Sequence, residues 1–260
     1  MDGFDKDNIP SDITNSITTG SNAGLLLQPP MVKEITAVTT LTNVNTPSYT
    51  FKSSKAGTIT YGGNCSSSTT SATTDNNAIT FNTLSDGTYS NCTLYVTSST
   101  GVKGNTLSVT PFTVDTTATA NFTAATDNVG TVTGALTSGN TTDDTALVLS
   151  GTNESGSSVK VYNGSTELGA ATVSGTSWSY TATVANGTTY QFNVKETDLA
   201  GNTSEATSNF VVTGDTTAPT ASVTTATITN SSNAVVQSTE TGTAYLVKTT
   251  VSVSNLASIT

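Results

Sequence analysis

Asp115-Thr116-Thr117-Ala118 returns as Asp215-Thr216-Thr217-Ala218-Pro219, 100 residues later (215 − 115). Each copy follows a short apolar run, Pro111-Phe112-Thr113-Val114 in one case and Asn209-Phe210-Val211-Val212 in the other. About 100 residues is the length of one seven-stranded antiparallel β-sandwich. The repeated phrase therefore reads as the junction between beads on a string.

The flanking sequence supports strands on both sides of the first junction. In residues 32–115 Tyr49 and Phe51 share one strand face, as do Ile59 and Tyr61, Ile79 and Phe81, and Leu94 and Val96. Gly62-Gly63-Asn64, Asp75-Asn76-Asn77 and Ser85-Asp86-Gly87 separate them as turns. In residues 116–214 Leu147 and Leu149 alternate, then Val159 and Val161, a run ending at Asn163-Gly164, a strong hairpin signal. Trp178, Tyr180, Ala182 and Val184 form one further face, and Tyr190, Phe192 and Val194 another. Trp178, the only tryptophan, is expected in the core. Residues 215–260 restart with the junction phrase and carry the runs Val235-Val236, Tyr245-Leu246-Val247 and Val251-Ser252-Val253, too few for a full sandwich. The expected organisation is an acidic segment and linker over 1–31, a sandwich over 32–115, a second over 116–214 and a partial third domain over 215–260.

Composition agrees with an all-β chain. Of 260 residues, 34% are hydrophobic and only 10% charged, with Thr, Ser, Asn and Gly filling the difference. Low charge argues against ordinary disorder. β-branched Thr and Val favour pleated strands.

The same composition excludes several chemistries. Histidine is absent, so there is no Ser-His-Asp triad, no Cys-His pair and no imidazole ligation of a metal. All eight basic residues are lysine, unclustered, against a net charge of −10, which excludes nucleic acid as a partner. Carboxylate pairs can hydrolyse glycosides without histidine, but the acids here fall at turns and linkers, so no catalysis is expected. The threonine spacing is too irregular for a flat threonine-row surface.

No apolar run is long enough to span a bilayer, and Ala23 to Leu27 is too short even for a signal-peptide core. No membrane insertion by this segment is expected. The sequence reads as a mature or excised piece, or as one exported by a signal outside it. Cys65 and Cys92 fall in one domain, and an exported chain would pair them. If they border the third and sixth strands, the bridge joins neighbours in one sheet rather than two sheets.

Residues 127–202 carry a family resemblance. Asp127-Asn128-Val129-Gly130 opens a long turn ending in Thr142-Asp143-Asp144. Leu149-Ser150-Gly151-Thr152-Asn153-Glu154-Ser155-Gly156, Val159-Lys160-Val161-Tyr162 and Leu168-Gly169 follow, then Ser177-Trp178-Ser179-Tyr180 and Asp198-Leu199-Ala200-Gly201-Asn202. In that order the region resembles the bacterial immunoglobulin-like repeats of large surface adhesins of the biofilm-associated and RTX type. The first domain, with Gly62-Gly63-Asn64-Cys65 and Ser85-Asp86-Gly87-Thr88-Tyr89, is similar to another such repeat, and Glu240-Thr241-Gly242-Thr243-Ala244-Tyr245-Leu246-Val247 resembles the opening of a third. The resemblance implies tandem immunoglobulin-like sandwiches, the last truncated, in a non-catalytic extender on the bacterial cell surface. Neighbouring repeats of the same polypeptide and a distal host or surface ligand would be its partners. It also implies calcium ions that stiffen the repeats. The alternative is a glycan-binding or accessory module of a secreted multidomain enzyme.

Strand alternation says where calcium ligands would gather. Odd and even loops of a sandwich go to opposite poles. The loop after the first strand, with Asp127, Asp143 and Asp144, belongs at the far pole beside Asp215. Glu154 and the pair Asp198 and Asn202 belong at the near pole beside Asp115. Each set supplies the oxygen donors calcium requires. The corresponding phrase of the first domain, Ser99-Thr100-Gly101-Val102-Lys103-Gly104-Asn105, has no aspartate, and Lys103 would oppose a cation, so no ion is expected there. The N-terminal Asp5-Lys6-Asp7-Asn8-Ile9-Pro10-Ser11-Asp12 resembles the aspartate-rich calcium repeats of thrombospondin type 3, with Asn8 and Ser11 departing from the pattern. A solvated acidic tail is the simpler reading.

Overall fold

The computed structural model describes residues 28–131, 133–223 and 235–243. The acidic stretch Asp2–Asp12 and the runs at 245–247 and 251–253 lie outside the described residues. Within them every regular element is a strand, and nearly all pairing is antiparallel.

The first nine strands are β1 (Val32–Thr36), β2 (Ser48–Ser53), β3 (Gly57–Gly62), β4 (Ser71–Ala72), β5 (Asp75–Thr80), β6 (Gly87–Tyr89), β7 (Thr93–Ser98), β8 (Leu107–Ser108) and β9 (Phe112–Val114). They form a sheet of order β1-β2-β5, a second of order β4-β3-β7-β8, and a β6-β9 ribbon. Alternation sets the core: Tyr49 and Phe51 on β2 are fully buried, and so are Leu94 and Val96 on β7. The rings of Tyr49, Phe81, Phe112 and Tyr89 stack in sequence, with centroids 5.6, 6.1 and 5.4 Å apart. Cys65 follows β3, Cys92 precedes β7, and the two form a disulfide at a Cα separation of 5.2 Å. Because β3 pairs directly with β7, through Tyr61↔Leu94 and Gly62↔Thr93, the bridge closes the end of one sheet.

The next ten are β10 (Asn121–Asp127), β11 (Gly134–Ala135), β12 (Asn140–Thr142), β13 (Ala146–Thr152), β14 (Ser158–Asn163), β15 (Thr166–Ala170), β16 (Thr172–Ser174), β17 (Ser177–Thr183), β18 (Thr189–Thr197) and β19 (Phe210–Gly214). Two five-stranded sheets result, β11-β10-β13-β17-β16 and β12-β19-β18-β14-β15. The β12–β19 pair is parallel, Asn140↔Val212 to Thr142↔Gly214. Leu147, Leu149, Val159, Val161, Phe192 and Val194 are buried to 1% exposure or less. Trp178 is also core. Its indole Nε1 donates to Asn121 O at 3.1 Å, and Phe122 meets it edge-on at 5.7 Å. The β14–β15 hairpin sits where Asn163-Gly164 predicts, but Asn163 pairs with Thr166, so the turn residues are Gly164 and Ser165. Gly164 alone takes positive φ (59°), which shifts the turn by one residue. A last short ribbon pairs β20 (Ala221–Val223) with β21 (Val236–Ser238).

Each strand set carries a tyrosine just after an Asx-Gly turn, Tyr89 at the end of β6 and Tyr190 near the start of β18. Tyr89 donates its hydroxyl to Ser85 O at 2.9 Å, and the Tyr190 hydroxyl accepts from Ala185 N at 3.0 Å. That corner is a hallmark of immunoglobulin-type sandwiches. By contacts, the described residues divide into two compact units. One comprises residues 28–123, 150–180 and 192–209, the other the remainder.

Candidate metal centre

The site grows from the loop that follows β18. Thr197 and Thr203 bridge antiparallel, Asp198 N donates to Asn202 O at 3.0 Å, and Gly201 N donates to Asp198 O at 3.3 Å. A turn this tight needs positive φ at Gly201, where φ is 90°. It folds Asn202 back onto Asp198. Asn202 N donates to Asp198 Oδ1 at 2.8 Å, and Asn202 Nδ2 donates to Asp198 Oδ2 at 2.7 Å and to Asp115 O at 2.8 Å. The linker carbonyl is thus held by the loop.

Glu154 arrives from the β13–β14 loop. Asp115, Glu154 and Asp198 each offer a carboxylate oxygen, and the three oxygens lie within 4.8 Å of one another. Asp198 is buried, and the other two are half-buried. The Glu154 carboxyl is pushed above the usual range, first by burial and then by the negative charges of Glu196, Asp115 and Asp198. All three lie in the first compact unit.

Glu196 is the residue that the sequence reading overlooks. It is fully buried. Its Oε1 accepts from Glu154 N at 2.8 Å, while Oε2 is buried with no hydrogen-bond partner. A buried carboxylate oxygen without a partner carries a desolvation penalty of about 1–3 kcal/mol or more. Such a group, in contact with Glu154, suits a cation held by the carboxylates of Asp115, Glu154 and Asp198. The signal was in the sequence: Phe192 and Val194 point inward, and the next residue on that face is Glu196. Four carboxylates are the hard oxygen donors that suit calcium, which takes six to eight such ligands.

The 100-residue period exposes what is special here. The loop after β7 has the same backbone hydrogen bonds: Thr97 bridges Lys103, Ser98 N donates to Val102 O, and Gly101 N donates to Ser98 O. Position for position, Val96 stands for Glu196, Ser98 for Asp198 and Val102 for Asn202. Lys103 lies over the Tyr95 ring at 4.0 Å. The incoming chain is held instead by neutral hydrogen bonds. Val32 N donates to Asn105 Oδ1 at 2.8 Å, Asn105 Nδ2 returns one to Val32 O at 2.9 Å, and Met31 N donates to Ser54 Oγ at 2.9 Å.

The other predicted set lies in the second compact unit. Asp127, Asp143 and Asp215 line one open pocket of about 520 Å³ together with Glu240. Asp127 and Asp144 are buried and already occupied by donors from their own turns. Asp127 accepts from Val129 N at 2.9 Å and Thr142 Oγ1 at 2.7 Å, and Asp144 from Ala146 N at 2.8 Å and Asn128 N at 3.3 Å. These two carboxylates take donors from their own turns, as Asp198 does from Asn202, and Asp143 and Asp215 stay exposed.

Residues 119–216 match the family model of the bacterial Ig-like domain. No curated protein matches the chain. Among solved structures it resembles the fibronectin(III)-like modules of Clostridium thermocellum CbhA, at 16% identity and a TM-score of 0.32, over 71% of this chain and 94% of that one. SGBP-B of the Bacteroides ovatus mixed-linkage glucan utilization locus, solved with a mixed-linkage heptasaccharide, is 11% identical with a TM-score of 0.23, over 76% of this chain and 46% of that one. The Gamma-CGTASE of Alkalophilic bacillus clarkii is 18% identical with a TM-score of 0.21, over 73% of this chain and 26% of that one.

Proposed function

We propose that this chain, a string of β-sandwiches with a bacterial Ig-like repeat at residues 119–216, is a non-catalytic extender segment of a cell-surface adhesin. In this proposal calcium clasps the Asp115 linker to the second sandwich, and the chain projects a distal binding region from the bacterial surface. One observation carries the reading. Carboxylates from a linker, a β13–β14 loop and a β18–β19 loop converge within 4.8 Å, and the Glu154 amide donates to the buried carboxylate of Glu196.

Asp115, Glu154, Asp198 and Glu196 would hold the ion, and Asn202 positions Asp198 and the linker carbonyl. The ion would supply the positive charge that lets four carboxylates stay close, and it would tie the linker down. Calcium modules outside cells bind at roughly 10⁻⁴ to 10⁻³ M. At ten times the dissociation constant one site adds about 1.4 kcal/mol, enough to straighten a bendable linker. Residues suited to a spacer surround it: a polar Thr- and Ser-rich exterior, and no described helix long and apolar enough to cross a membrane.

Small-angle scattering with and without a chelator tests the proposal. A shorter maximum dimension in chelator is expected, and an unchanged one overturns the stiffening role. Specific glycan binding by the whole chain would favour an accessory module of a secreted enzyme instead. Trp178, at 2% exposure, is no platform for a sugar ring.

A further inference from the structure

A separate set of contacts holds both linkers. In the turn before β6, Asp86 Oδ1 accepts from Thr116 N at 3.0 Å and Thr116 Oγ1 at 2.7 Å, while Oδ2 accepts from Thr117 Oγ1 at 3.2 Å. In the turn before β18, Asn186 does the same work as an amide. Its Oδ1 accepts from Thr216 N at 2.8 Å, and its Nδ2 donates to Thr217 Oγ1 at 2.9 Å. Each clamp precedes its linker aspartate by 29 residues (115 − 86 and 215 − 186), and a glycine follows each. Each pair lies within a single compact unit.

The aspartates that open the linkers are rooted equally. Asp115 N donates to Thr42 O at 2.9 Å and Asp215 N to Thr142 O at 2.8 Å, continuing the parallel contacts Thr42↔Val114 and Thr142↔Gly214. Thr117 N and Thr217 N turn back to Oδ1 of Asp115 and Asp215 at 3.4 and 3.2 Å. Each linker is thus held by a backbone bond to a threonine carbonyl, by an Asx side chain, and by its own turn.

We propose that Asp86 and Asn186 are linker clamps. They make Asp115-Thr116-Thr117 and Asp215-Thr216-Thr217 rigid extensions of the strands they leave. Asp and Asn serve alike because the shared requirement is one oxygen acceptor for the first threonine's amide. The second threonine offers a hydroxyl, which donates to a carboxylate and accepts from an amide. Fixing the exit direction needs no metal, so the clamp stands apart from the calcium reading.

Amide hydrogen exchange of Thr116 and Thr216 tests it on the full chain, in calcium and in chelator. Both amides are expected to stay protected in both conditions. Asp86→Ala should speed exchange at Thr116 about fivefold or more, the loss of one net hydrogen bond, and leave Thr216 unchanged. Asn186→Ala should do the reverse. Asp86→Asn, which writes in the residue of the second clamp, should keep Thr116 protected. Should Asp86→Ala unfold the first sandwich, Asp86→Asn and Asn186→Ala still decide. Unchanged exchange at Thr216 in Asn186→Ala overturns the proposal, and so does loss of Thr116 protection in chelator with Asp86 intact. Failure of the calcium reading would show separately, as an Asn202 amide indifferent to chelator.

Discussion

The loops after β7 and β18 share a backbone and differ in chemistry. Both close with the same three hydrogen bonds and the same positive-φ glycine, Gly101 at 81° and Gly201 at 90°. Around the first, a valine, a serine and a valine complete an ordinary apolar pole, and Asn105 clasps the incoming strand with neutral bonds. Around the second, Glu196 occupies a core seat, and Asp198 meets Asp115 and Glu154. The first sandwich is further braced by a covalent bridge, Cys65–Cys92. Backbone geometry alone therefore does not make an ion site. The side chains of one inward position and two turn positions decide which chemistry gathers there, and in the second loop they bring carboxylates together.

The largest expected effect separates the braces. Replacing Cys65 and Cys92 by serine should cost roughly 3 kcal/mol in the chain-entropy picture for a 27-residue separation. Denaturant unfolding should register that loss in the first sandwich while the second keeps its midpoint. Equal losses in both would mean that the two strand sets do not fold separately.

Next comes Glu196→Val, which writes the first loop's residue into the second. It should raise the stability of the calcium-free second sandwich by about 1–3 kcal/mol, by removing a buried orphan oxygen. It should also erase the calcium response in a titration calorimeter. A stable variant that still binds calcium normally would remove Glu196 from the site.

Smaller still is the metal itself. Calcium at ten times its dissociation constant should add about 1.4 kcal/mol to the second sandwich. A shift of roughly 6–11 °C in its melting transition should follow, because a 1 kcal/mol change moves a domain of this size by roughly 4–8 °C. The first sandwich's transition should stay in place. A shift of both would erase the contrast between the loops.

The smallest effect is the pH dependence of Glu154. Its folded carboxyl titrates above the unfolded value of 4.5, so its charged form is disfavoured by folding. Without calcium, stability should be highest when Glu154 is protonated and should fall as pH rises from 4.5 through the raised folded value. With calcium the trend should reverse, because protons compete for the same oxygens. Glu154→Gln should flatten both curves in pH-dependent melting. An unaltered slope would show that the carboxylates do not sense one another.

Much of the fold was legible from local pattern. Inward seats such as Tyr49, Leu94, Leu149 and Phe192 follow from period-two alternation, a property of each strand alone. The near-pole grouping followed as well, since alternate loops must go to opposite ends. Three things did not follow. The turn after β14 lies one residue beyond Asn163-Gly164, because pairing register decides which residues are central. The burial of Asp127 and Asp144, and the turn amides that donate to them, depend on how the β10–β13 connection folds. The clamps at 86 and 186 act on threonines about 30 residues away, a distance that no local pattern spans.

The sequence by itself determined the 100-residue period, the all-β class and the acids at the seams, because strand alternation and turn chemistry are local. Only the tertiary structure decided which acids meet. Sheet pairing brings the carboxylates of Asp115, Glu154 and Asp198 within 4.8 Å of one another, and it buries Glu196, seated like the core residue Val96, with one carboxylate oxygen unpartnered. Burial and proximity depend on chain segments far apart in sequence, so they emerge when the sheets close.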